Sequence, residues 1–461
     1  MRLIVLMAIL AVTILNPSRV PASQQEPDDL AQAHSLLIEA SRLVKDIPEL
    51  QRSSAAANIA GQLVRAGGLP DALATARLLP NAEDQAQVIG SIAWAIAHSG
   101  NVAQALALVE NAVDGQNKGV GYEMVAELCA DSGDLKGALQ IAHRIRRDPG
   151  RLVDTLARLA SRAAKAGDLL GAREVLHDAL QVTEETLEEN IRYASALAQI
   201  ARTQAEIGDN ADAFATLDRL SAIARHHKGG GNGMFLPELS CAQAQIGDFV
   251  GARRTADELP VGGSSDLSLM CISKEQAKHG LMMEALDSSA LISSPGFKEA
   301  TLEEIRISRT RQGNPNDAAE AIDHIPNIGD RSLALAALAL DEAENKNPAA
   351  DGTLQLAWKL ATEMGPDASD NLLGTIAVTR ALLGDFPGAQ QIVLSMTKAD
   401  ARFWPLWNIT SFMAAAGHRQ EALSLAESQE AALPKAYALL GAAEGILNHL
   451  EADQKARNTK H

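Results

Sequence analysis

At 461 residues with a formal charge of −17, the chain is too acidic to favour nucleic acid, whose affinity comes mostly from Lys and Arg neutralising phosphates. Hydrophobic residues make up 46% but aromatics only 3%, so any core must be aliphatic and Ala-rich. Ala and Leu lose little side-chain freedom on a helix, and alternating β-branched runs are nearly absent, which excludes a β fold.

In chain order, residues 1–22 read as a secretory signal. Arg2 gives a positive start, Leu3 to Leu15 is a mostly apolar run, and Val20-Pro21-Ala22 supplies small residues at a cleavage site. The run falls short of the ~20 residues a membrane-spanning helix needs. The expectation is export, to the periplasm or the medium, with no stable membrane insertion after signal removal. Residues 23–49 read as an N-terminal capping helix, 50–228 as a first block of repeats, 229–233 as a flexible Gly-rich loop, 234–450 as a second block, and 451–461 as a disordered polar tail.

The repeats declare themselves by a recurring phrase. It reads Gly133-Asp134-Leu135-Lys136-Gly137-Ala138, then Gly167-Asp168-Leu169-Leu170-Gly171-Ala172, Gly247-Asp248-Phe249-Val250-Gly251-Ala252 and Gly384-Asp385-Phe386-Pro387-Gly388-Ala389. Registering the chain on the first glycine places eleven units, at Gly67, Gly100, Gly133, Gly167, Gly208, Gly247, Gly280, Gly313, Lys346, Gly384 and Gly417. Five positions later the residue is Ala in ten of the eleven, from Ala72 to Ala422, the exception being Asp351. Eight positions earlier it is always aliphatic: Ile59, Ile92, Val125, Leu159, Ile200, Leu239, Ile272, Ile305, Leu338, Ile376 and Ile409. Neither column was imposed by the glycine register.

Each column has a physical meaning. Glycine past a helix end takes the left-handed conformation without steric cost, the following Asp or Asn caps the next helix, and the Ala lets two helices approach closely. The aliphatic column is the buried stripe. Each unit is then a helical hairpin that must stack on its neighbours to bury that stripe. The longer step from Gly167 to Gly208 predicts lengthened helices around Glu184 to Glu189. The unit at Lys346, without glycine or alanine, is the most divergent.

This arrangement resembles the tetratricopeptide repeat family over nearly all of residues 50–445. The spacing of 33–34 agrees, as do the small residues Ala60, Ala93, Ala126, Ala160 and Ala201, the Gly-Asp turn, and the closing Leu433-Pro434. The family's bulky aromatics are mostly replaced by Leu, Ile and Ala. The resemblance implies an all-α fold, an α-solenoid forming a right-handed superhelix of about eleven repeats of 33–41 residues, whose first helices line a concave groove. The family's carboxylate clamp is absent: Ala57, Asn58 and Gly61 stand where its Lys and Asn belong.

No catalytic, cofactor or metal signature appears. His143 and His177 share one repeat column with Arg77, Glu110, Asp218 and Asp257, which marks it as surface. Cys129, Cys241 and Cys271 cannot all pair, and helix axes packed 8–10 Å apart make the ~5.5 Å Cα separation of a disulfide demanding, so they read as small buried apolar residues. Two binding candidates stand out. Arg158, Arg162 and Lys165 lie along one face of a first helix, with Arg202 on the next repeat; against so acidic a background this strip is a candidate for carboxylate recognition, unless Glu127, Asp131 or Asp168 neutralises it. Trp404 and Trp407, beside Phe403 and Phe412, concentrate aromatics near the last repeat, as a hot spot or as its core. The reading is therefore an exported protein–protein interaction scaffold that binds a protein or peptide partner, not an enzyme. A solenoid-based cell-wall glycan-cleaving enzyme and a purely structural assembly subunit are the alternatives.

Overall fold

The computed structural model describes residues 25–113, 117–145, 147–186, 191–226, 232–294, 297–298, 301 and 328–458. Its helices, in order, are α1 (Gln25–Leu43), α2 (Glu49–Arg65), α3 (Leu69–Ala76), α4 (Ala82–His98), α5 (Val102–Ala112), α6 (Lys118–Asp131), α7 (Leu135–Ala142) and α8 (Pro149–Lys165). Then come α9 (Leu169–Thr186), α10 (Ile191–Glu206), α11 (Asn210–His226), α12 (Asn232–Gln245), α13 (Phe249–Asp257), α14 (Gly263–Lys278) and α15 (Met282–Ala290). The last are α16 (Ile328–Glu344), α17 (Ala350–Met364), α18 (Asp370–Leu382), α19 (Phe386–Ser395), α20 (Phe403–Ala415), α21 (Arg419–Glu427) and α22 (Ala432–Asn458). No strand occurs among the described residues. The chain is an all-α tandem-repeat solenoid, in two compact units: Met1–Ser99 with Asp323–His461, and Gly100–Ile322.

One turn is stamped into repeat after repeat. Gly133 sits at φ +86°; its N–H donates to the Ala130 carbonyl (3.0 Å) and the next N–H, of Asp134, to the Cys129 carbonyl (2.9 Å). These crossed bonds satisfy carbonyls that the end of a helix leaves orphaned. The carboxylate of Asp134 then accepts from the Gly137 N–H at 2.8 Å, capping α7. Asp168, Asp248 and Asp385 cap α9, α13 and α19 in the same way, on Gly171, Gly251 and Gly388. That explains the second glycine of the phrase: a Cβ at Gly137 would collide with the Asp134 carboxylate.

Lys346 makes the same turn without glycine. It is the one non-Gly residue at positive φ (56°) among the described residues, and its N–H and that of Asn347 make the same crossed pair, to Ala343 and Glu342. The alanine is displaced rather than lost: Ala350 is 1% exposed while Asp351 faces solvent.

The aliphatic column is buried wherever it is described, with Ile92, Leu159, Ile200, Ile376 and Ile409 all at 0% exposure; Ile305 lies outside the described residues. First helices stack on first helices, α6 on α8, α8 on α10, α10 on α12 and α12 on α14, and each packs against its own second helix. At 18 residues α9 is more than twice the length of α3 or α7, as the longer spacing predicted.

The expected boundaries meet the described residues only in part. The signal 1–22 lies outside the described residues, as do 229–231 of the Gly-rich loop, while Asn232 and Gly233 already belong to α12. The supposed tail is helical through Asn458, so 451–461 is not a disordered end over its described part. The N-terminal helix is no free cap, since α1 and α2 pack against α22. The reason is apolar: α22 carries a second buried face, with Tyr437, Leu440 and Leu447 each no more than 4% exposed, which sequence periodicity alone does not assign to a partner. Around that face Arg419 pairs with buried Asp29, Arg65 bridges to Glu451 (2.8 Å) and Asn448 (2.9 Å), and Asn58 reaches the Tyr437 hydroxyl.

Helices α20 and α22 cross closely enough that a Cβ at Gly441 would collide with the Trp407 carbonyl, and one at Gly445 with that of Ser411. Gly441→Ala is therefore expected to destabilise by about 1–3 kcal/mol through overpacking, although Ala is by ~1 kcal/mol the better helix former. Urea unfolding decides it: an unchanged or raised midpoint would remove the close crossing.

Candidate functional site

The exposed edges of successive first helices form a polar face in the unit Gly100–Ile322. On α8, Arg158 and Arg162 do not stand free. Glu127 and Glu123 on α6 take Arg158 (Nε–Oε1 2.5 Å, Nη2–Oε1 2.6 Å), and Glu127 (2.7 Å) and Asp131 take Arg162. Arg151 closes the lattice through Glu123 at 2.7 Å. Burial would depress the Arg158 pKa, but Glu123 and Glu127 outweigh it and hold the guanidinium firmly charged. Two of the four residues of the basic strip are thus taken up by neighbouring carboxylates, Glu127 and Asp131 being the neutralising acids the sequence had offered. Lys165 has no ion pair among the described residues, and Arg202 leans on Glu206 at 3.7 Å.

Beyond that lattice lies a recess of about 210 Å³, lined by Asp154 from α8, Ser195, Gln199 and Arg202 from α10, and Glu238 and Gln245 from α12, with Ala198, Cys241 and Ala242 in its floor and wall. Three consecutive repeats build it. Asp154 stands exposed at the rim, its carboxyl pKa pushed up by the protein packed around it against the pull of Arg158. Desolvation also raises Glu238, half-buried, with the Ser195 hydroxyl as the opposing hydrogen-bond partner. The Arg202 Nε is cut off from solvent and has no hydrogen-bond acceptor among the described residues.

Cys241 lines this recess and is joined to Cys271 on α14, Cα to Cα 5.2 Å. The sequence reading of both as unpaired is corrected. Axes 8–10 Å apart do not keep facing Cα atoms that far apart, because each lies ~2.3 Å inside its own axis. Cys129 remains free and buried, and burial raises its thiol pKa, which keeps it unreactive.

The aromatic candidates lie in the other unit and divide. Trp407 Nε1 donates to Glu444 Oε2 at 2.6 Å and its ring tilts against Tyr437 at 5.6 Å. It seals α20 to α22. Trp404 is half-buried one turn earlier. Burial raises the Glu444 carboxyl pKa despite Trp407 and Arg65. His143 is exposed and bonds Asp178 (2.7 Å) rather than His177, and no group of three or more potential metal ligands occurs among the described residues. No described helix is long and apolar enough to cross a membrane. Sequence reasoning missed Asp154, Ser195, Gln199, Glu238 and Gln245, whose only signal was polar residues persisting at first-helix face positions.

No known family's sequence model matches the chain, and no curated protein matches it. Among solved structures, the chain is similar to Ton1535 from Thermococcus onnurineus NA1, at 16% identity and TM-score 0.28 over 84% of this chain and 97% of that one. It is also similar to a circular tandem repeat protein with novel repeat topology and enhanced subunit contact surfaces, at 15% identity and TM-score 0.19 over 94% and 99%. At those TM-scores the likeness transfers no function.

This geometry sets two expected outcomes. A carboxyl whose pKa is higher in the folded state costs stability as pH climbs from its unfolded value through its folded one. Glu238→Gln should therefore raise the urea midpoint at pH 7.5, with the advantage shrinking towards pH 4.5; a loss at pH 7.5 would mean that the carboxylate is stabilised rather than desolvated. In guanidinium without reductant, one thiol per chain should react with a disulfide reagent, and three after reduction.

Proposed function

We propose that this chain is an exported, non-catalytic interaction scaffold of the tetratricopeptide-like kind, which holds a protein or peptide partner against its first-helix face. The observation that carries the reading is the recess spanning α8, α10 and α12: side chains from three successive repeats converge on one polar hollow that no single repeat could form. Because stacking fixes the helices beforehand, a partner need not order the receptor, which lowers the cost of association. Export is supported by the apolar leader, Leu3 to Leu15, and by the Cys241–Cys271 pairing, since disulfides persist in oxidising compartments and are rare where thiols are kept reduced. The 33–34-residue spacing and the Gly-Asp turn support the repeat type.

One observation favours a second reading. Glu238, desolvated and raised, has the character that a glycan-cleaving enzyme demands of its general acid. The lining weighs against it, because the recess is polar rather than the apolar pocket that usually keeps such an acid protonated.

A photoreactive phenylalanine analogue at Gln199, in the recess, should capture a discrete adduct in the producing cell, whereas one at Arg253 on a second helix should not. Equal labelling at both positions, or none at Gln199, would retire the scaffold. Release of reducing ends from cell-wall glycan by the wild type, lost in Glu238→Gln, would establish the enzyme instead.

A further inference from the structure

We propose that the recess between α8, α10 and α12 receives the cationic end of a lysine or arginine side chain from a basic partner segment, with Glu238 and Asp154 as its acceptors. The proposal rests on the scaffold reading and gives its partner a chemistry opposite to the one the basic strip suggested.

The charges around the hollow lead there by subtraction. From α6, Glu123, Glu127 and Asp131 face this wall, but they are engaged with Arg151, Arg158 and Arg162. From α8, Asp148 lies near Arg151 at 3.6 Å, whereas the cations that act on Asp154, Arg158 and Arg151, are both already held by glutamates of α6. From α10, Arg202 has its closest carboxylate in Glu206, which also accepts from the Ser161 hydroxyl (3.0 Å). From α12, Glu238 is met by a hydroxyl and no cation. Arg151, Arg158 and Arg162 are therefore held by acids outside the hollow, and inside it two carboxyls, Asp154 and Glu238, outnumber the single arginine, Arg202.

Size agrees with a single long side chain. About 210 Å³ corresponds to roughly seven waters at ~30 Å³ each. The lining gives such a guest what it requires: carboxylates for the charged head, the Gln199 and Gln245 amides and the Ser195 hydroxyl for its remaining N–H groups, and Ala198 and Ala242 for the methylene stem. A guest cation would also repair the desolvation of both acids, so its charge is worth more here than on the open surface. The disulfide ties the α12 wall to α14, holding Cys241 beside the hollow before any partner arrives. At long range the formal charge of −17 steers a basic segment towards the protein, while the recess decides where one side chain stops.

The test uses the full chain and fluorescein-labelled peptides alternating glycine with lysine, with glutamine, or with glutamate, read by fluorescence anisotropy at physiological salt. The lysine peptide should bind and the other two should not. Glu238→Gln and Asp154→Asn should each weaken it about tenfold, the equivalent of ~1.4 kcal/mol. Glu174→Gln, which removes an exposed acid from α9, should change it less than twofold, and thermal melts should show all three variants folded. No binding of the lysine peptide by wild type overturns the proposal. So does equal weakening by all three variants, which would reduce the effect to general acidity. Because the Gln199 crosslink reports any partner whatever its charge, an adduct there alongside a failed peptide series would sink this inference and leave the scaffold standing.

Discussion

Hairpin after hairpin among the described residues turns on the same few atoms: a residue in the left-handed region after the first helix, crossed backbone hydrogen bonds, and, at Asp134, Asp168, Asp248 and Asp385, an acid that caps the second helix. Backbone groups at helix ends must be satisfied somewhere, and here both ends are satisfied within one short phrase. The reversal therefore has one geometry, the second helix returns along the first at a fixed angle, and the aliphatic column of one hairpin meets that of the next. Lys346 shows the order of causes. The turn persists there at φ 56° without glycine, carried by the stacking on either side, even though a side chain is sterically strained in that region.

What was legible in the letters was whatever repeats. Ile200 and Ala213 could be assigned to the core because ten other units vote on their positions. Features that occur once, or that join distant units, were not legible. Nothing in the Gly441 or Gly445 neighbourhood says that α20 passes within touching distance, and the second apolar face of α22 looks the same whether α1 covers it or not. The disulfide failed for a different reason, since an axis-to-axis spacing was used where the distance between facing Cα atoms mattered.

Charge was the least readable property. Arg158, Arg162 and Lys165 share a helical face as their spacing says, yet three carboxylates one helix away settle the fate of two of them. Glu127 and Asp131 could be named beforehand as acids able to neutralise the strip, because the repeat register places them on the neighbouring first helix, but Glu123, which takes both Arg151 and Arg158, was not among them. Electrostatic meaning in a stacked array is set across repeats, and the recess holds the charges that such pairing leaves over. Its walls are ordinary surface positions individually: a serine, two glutamines, two acids, an arginine.

The docking of α22 on α1 and α2 has a consequence for how the polypeptide is made. The unit they share is discontinuous in sequence, with the other compact unit, residues 100–322, lying between its two segments along the chain. A ribosome adding ~5–20 residues per second delivers Leu37, Val44 and Ile47, all buried in the finished protein, on the order of tens of seconds before the helix that helps to cover them. For that interval the early segment has an oily flank and no mate. The unit built from both ends of the chain cannot be completed until its last helix is made, so a chaperone that shields a nascent leading segment would have more to do here than in an array whose repeats are contiguous.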